Sequence, residues 1–62
     1  MGFIKLHEAI CGKEFFVNPQ YITLVFNDTR SACIRIYGYQ GNLYTKETYN
    51  EIVKEIENAD RI

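Results

Sequence analysis

The chain has 62 residues, is 47% hydrophobic and 24% charged, and carries a formal net charge of −1. That length holds one domain, residues 1–62, and one core at this size supplies only roughly 3–5 kcal/mol, so small folds are commonly reinforced by disulfides, a metal or assembly. The composition excludes a disordered segment, the near-neutral charge argues against bulk attraction to nucleic acid or anionic lipid, and no apolar run approaches the length of a membrane helix.

Phe3, Ile4 and Leu6 begin an extended segment, FIKLHEAI, with imperfect alternation. Lys5, His7 and Glu8 interrupt it before any signal-peptide core forms, which points to a cytoplasmic protein with reduced thiols. Gly12-Lys13 reads as a turn and Glu14 to Val17 as a second strand. Asn18-Pro19 then breaks the ladder, because proline lacks an amide hydrogen and holds the preceding residue extended. The pair is therefore read as a corner, with Phe15, Val17, Ile22 and Leu24 feeding one core from the strands on either side. A register slip of one residue would exchange the faces.

Tyr21 to Phe26 is the third predicted strand, with Tyr21, Thr23 and Val25 on the outer face. Asn27 to Arg30 is a polar break. Ala32 to Tyr37 follows, placing Ala32, Ile34 and Ile36 inward and Cys33, Arg35 and Tyr37 outward. Gly38 to Asn42 is a turn and Leu43 to Thr45 a short final strand. The period then changes. Thr48 with Glu51 forms a capping box, and Tyr49, Ile52, Val53, Ile56 and Ala59 recur at helical spacing, giving a helix over Thr48 to Asn58. The predicted fold class is α+β: a four- or five-stranded antiparallel sheet, with a barrel-like curl as one form of it, and one C-terminal helix.

Two blocks, GKEFFVNPQYI at 12–22 and YTKETYNEIVKEI at 44–56, together resemble the short FlbD-like proteins, named for flagellar and swarming-motility accessory factors. That resemblance implies a strand-turn-strand, a sheet and a terminal helix opened by Y-x-K-E-[ST], with no catalytic residues and a protein partner. Similar small proteins occur in phages. The GYQGN turn and the number of tyrosines exceed the family's usual pattern.

No motif carries an enzymatic function. His7 stands alone beside Glu8, without the nucleophile and orienting group a general base works with. No CxxC pair or His/Cys cluster marks a metal site, and no cofactor motif is present. Cys33 reads as a buried, inert thiol and Cys11 as exposed. The tyrosines carry more information. A face holding Tyr21, Val25, Arg35 and Tyr37 is too apolar to be simply wet, and tyrosine and arginine favour interface centres. Tyr21, Val25 and Tyr37 are therefore assigned to a homo-oligomer interface. Tyr37, Tyr39, Arg35 and Lys46 are assigned to a small anionic, nucleotide-like ligand held at a subunit boundary. The function expected first is non-enzymatic ligand sequestration of a phage type. The alternatives are a protein–protein adaptor of the motility-accessory type and a single-stranded nucleic-acid binder using Lys5, Lys13, Arg35 and Lys46.

Overall fold

Five short strands and one helix are laid out in chain order, as described for residues 2–60 by a computed structural model. They are β1 (Ile4–His7), β2 (Glu14–Val17), β3 (Ile22–Asn27), β4 (Ala32–Ile36), β5 (Leu43–Thr45) and α1 (Tyr49–Asp60). The β1–β2 hairpin turns through Gly12, whose φ of 72° lies in the left-handed region that side chains with a Cβ rarely adopt. Its amide donates to the Glu8 carbonyl at 2.9 Å.

Instead of the single four- or five-stranded sheet expected, the strands form two antiparallel sheets: β1–β2, and β3–β4–β5. β1 is four residues long and meets β5 only through an isolated bridge between Glu8 and Thr45. Two backbone bonds flank that bridge, Lys46 N–H to the His7 carbonyl at 2.9 Å and Ala9 N–H to the Tyr44 carbonyl at 3.0 Å. Beyond it β1 turns away and the ladder stops. The sheets are stitched at one seam and do not close into a barrel.

The Asn18-Pro19 corner is a one-turn 3-10 helix over Pro19–Tyr21. Asn18 caps it, its side-chain oxygen accepting from Gln20 N–H at 3.0 Å while its own backbone stays extended. Proline supplies the first position, where no amide hydrogen is required, and is itself buried. A run of apolar residues thus turns a corner without leaving an unpaired buried amide.

The core lies between the sheets and α1. Ile4, Leu6, Val17, Ala32, Ile34, Ile52 and Ala59 are buried together, with Phe15, Ile22, Val25, Ile36, Leu43 and Ile56 packed around them. The capping box forms as the sequence indicates. Thr48 N–H donates to the Glu51 carboxylate at 2.9 Å, and Glu51 N–H donates to Thr48 Oγ1 at 3.2 Å. The helix's inward stripe is Ile52, Ile56 and Ala59, whereas Tyr49 stays on the surface.

One expected face is reversed. A bulge between Ile22 and Leu24 shifts the β3–β4 register by one residue, pairing Ile22 with Ile36 but Leu24 with Arg35. Val25 consequently packs on the core and Leu24 is 48% exposed, the opposite of the alternation read from Tyr21 to Phe26. Val25 is therefore not a surface residue of the interface assigned from the sequence; Leu24 takes that place on the outer face.

Candidate binding site

The outer face of β3–β4–β5 is built from cross-strand rows. Leu24 pairs with Arg35, and Phe26 pairs with Cys33, which pairs in turn with Tyr44. Cys33, between the core residues Ala32 and Ile34 on β4, is fully buried and has Phe26 and Tyr44 as its cross-strand partners. Burial, with the nearby Asp28 carboxylate adding to it, pushes the Cys33 thiol up, against a partial offset from the Tyr44 hydroxyl. The buried thiol read from the sequence is what the fold contains.

Arg35 extends along this face and donates from Nε to Asn42 Oδ1 at 2.8 Å. Beside it, Tyr37 N–H donates to the Tyr21 carbonyl at 2.7 Å, bringing the two tyrosines together at the end of the sheet. Tyr37 is 77% exposed, and Tyr21 and Tyr39 are each 54% exposed. This end of the molecule therefore carries three solvent-facing rings and one guanidinium, with Leu24 adjacent.

Lys46 lies elsewhere. It follows β5, four residues beyond the Asn42 that holds Arg35, a separation of roughly 13 Å at strand rise. Within one protomer the fold groups Arg35, Tyr37 and Tyr39 at one end of the sheet and leaves Lys46 at the other.

At that second end is an open groove of about 930 Å³ between the β1–β2 turn, the β3–β4 turn and the start of α1. Asp28 organises one wall. Its Oδ1 accepts from Thr29 N–H at 2.8 Å and from Thr29 Oγ1 at 3.2 Å, and its Oδ2 accepts from the Tyr44 hydroxyl at 3.0 Å. The Thr29 amide first, then the Tyr44 and Thr29 hydroxyls, holds this carboxyl below its ordinary range. The same bond and the Asp28 charge push the Tyr44 phenol up, so Tyr44 is a neutral hydrogen-bonded ring at neutral pH. Lys46 also lines the groove, and its ammonium sits 3.1 Å from where a Cβ on Gly12 would be.

Thr45 and Glu47 of the seam also line the groove. Glu47 Oε1 accepts from His7 N–H at 2.9 Å, and Glu47 Oε2 faces His7 Nδ1 at 2.7 Å. His7 Nε2 lies 4.0 Å from Glu14, which also pairs with Lys5 at 3.4 Å. Burial works against the ionised Glu47, but the His7 ring and amide outweigh it and hold the carboxyl below its ordinary value. Thr45, fully buried, places its hydroxyl 3.3 Å from the Ala32 carbonyl and 3.1 Å from the Glu47 carbonyl. Neither Asp28 nor Glu47 stands out in the sequence. The His7–Glu47 pair is 40 residues apart, and no local spacing announces it.

Among the described residues, no group of three or more histidine, cysteine or acidic side chains is placed to hold a metal ion, and no helix is long and apolar enough to cross a membrane. No family model, curated protein or solved structure matches the chain.

Proposed function

We propose that this chain is a non-enzymatic binding protein that works as an assembly of its own copies and sequesters a small anionic, nucleotide-like ligand where copies meet, in the manner of a phage-type sequestering protein. The observation that carries this reading is the uncovered end of the three-stranded sheet, where Tyr21, Tyr37 and Tyr39 stand in solvent beside Arg35 and Leu24. Rings of this kind give contact area at low entropic cost, and a guanidinium beside them suits a planar anion. A core of seven buried apolar side chains is small, which favours covering the remaining apolar surface by assembly. Arg35, Tyr37 and Tyr39 of one copy would be completed by Lys46 of another, since one protomer does not bring them together.

Native mass spectrometry of protein taken directly from cells tests this reading, because it reports subunit number and any retained ligand in one measurement. Calorimetry against mono-, di- and cyclic nucleotides then tests the ligand class; a panel without heat removes it. Tyr37→Glu places a charge on the exposed ring position without touching the core, and it is expected to reduce the assembly to protomers. An unchanged mass would move the interface to another face.

A second reading, a protein–protein adaptor of the motility-accessory type, is favoured by one observation. β3 is an edge strand pairing only with β4, and Ile22–Asn27 contains no charged residue to blunt that edge. Such an edge accepts an added strand from a partner. A stoichiometric protein partner with no retained small molecule selects this reading over ligand capture.

A further inference from the structure

We propose that the groove beside the seam is itself a binding site, within a single protomer, for a small anion carrying a flat ring. The ring would lie against Tyr44 and Tyr49, and the anionic group would sit on Lys46 and Arg30. The inference rests on the binding-protein reading above and adds a site that does not use Arg35, Tyr37 or Tyr39.

The groove's volume of about 930 Å³ is at the upper end of the few hundred to a thousand Å³ typical of small-molecule sites. Its charged residues divide cleanly. The two carboxylates that line it are already engaged: both oxygens of Asp28 accept from Thr29 and Tyr44, and both oxygens of Glu47 face His7. The two cations that line it, Arg30 and Lys46, form no ion pair with any described residue, in contrast to Lys5, which is paired with Glu14. Arg30 and Lys46 are thus the charged groups of the groove without an ion partner among the described residues, so an anion entering it would find its contacts there, while Glu47 is held by His7 and Asp28 by Thr29 and Tyr44.

The aromatic half is equally specific. Tyr44 and Tyr49 are 40% and 39% exposed, and both line the groove. Tyr44 is fixed in place by its bond to Asp28, so its ring is presented in one orientation before any ligand arrives. That lowers the ordering cost of binding.

Phenyl phosphate is the probe, with inorganic phosphate and phenol as separate arms, titrated into the nitrogen-15-labelled full chain and followed by amide shifts. The expected result is a cluster of shifts at Thr29, Arg30, Tyr44, Lys46 and Tyr49, with phenyl phosphate binding more tightly than either half alone. Lys46→Ala should weaken it by about tenfold or more, the loss typical of a charge-assisted contact. Tyr44→Leu should weaken phenyl phosphate and leave inorganic phosphate unchanged. Shifts confined to the neighbourhood of Arg35 and Tyr37, or equal affinity for phosphate and phenyl phosphate, would overturn the inference. A nucleotide that binds through Arg35 while phenyl phosphate leaves the groove unmoved removes this site and keeps the binding-protein reading. Phenyl phosphate in the groove with no nucleotide heat does the reverse.

Discussion

Ile52→Ala is expected to leave the chain largely unfolded at 25 °C in dilute solution. Ile52 is fully buried at the N-terminal end of the helix's inward stripe and is one of the largest fully buried side chains in the core. Truncating a buried isoleucine to alanine removes about 2–5 kcal/mol, transfer and cavity terms together. A domain of this size holds roughly 3–5 kcal/mol in total, so the loss is comparable with the whole. Far-ultraviolet circular dichroism through a urea titration reads the result directly. A midpoint close to that of the parent would mean that the core is reinforced from elsewhere. The variant also addresses assembly, since subunit contacts stabilise the folded state by mass action. If copies cover the tyrosine-rich end, raising the concentration should restore ellipticity to Ile52→Ala, and Tyr37→Glu in the same chain should abolish that recovery.

The fold is legible in the sequence wherever a local rule decides the outcome. Glu14 to Val17, Leu43 to Thr45 and the Thr48–Glu51 capping box are each fixed by nearest neighbours, and all three form where the sequence places them. The errors fall where a distant contact decides. Nothing in ITLVF announces a bulge at Thr23, because the bulge is a property of pairing with β4, where Thr23 Oγ1 bonds the Arg35 carbonyl at 3.3 Å. That one residue exchanges Val25 and Leu24 between core and surface. The division into two sheets is likewise invisible locally, since it depends on where β1 leaves β5 after a single bridge. The site divides the same way. Exposed tyrosines near Arg35 follow from strand parity, but the groove is made by two turns and a helix start that no periodicity brings together. Lys46 is legible as a cation in the sequence, whereas the engagement of Asp28 by Thr29 and Tyr44 and of Glu47 by His7 is set by contacts no local pattern announces.

The seam gives the second large effect, a loss of stability in acid that Glu47→Gln should partly abolish. In the folded chain the His7 ring and amide hold the Glu47 carboxyl below its unfolded-state value of about 4.5, against the opposing effect of burial. A carboxyl depressed by folding binds its proton more weakly in the native state. Its contribution is therefore fully present above the unfolded-state value and is lost as pH falls through the lower folded value. Melting temperature should accordingly be level near neutrality and fall as pH drops below about 4.5. Asp28 is depressed too and titrates in the same direction, so the parent curve alone does not single out the seam. The difference between parent and Glu47→Gln does. Glutamine keeps an oxygen for the His7 amide but has no charge to lose, so the variant should begin about 1–2 kcal/mol less stable at pH 7 and converge on the parent in acid. A His7→Ala partner variant completes a thermodynamic cycle, and coupling between the two positions should be present at pH 7 and weaken as pH falls through the lowered Glu47 value. Parallel stability curves for parent and Glu47→Gln across that range would mean that the bridge between Glu8 and Thr45 holds the sheets together without the carboxylate.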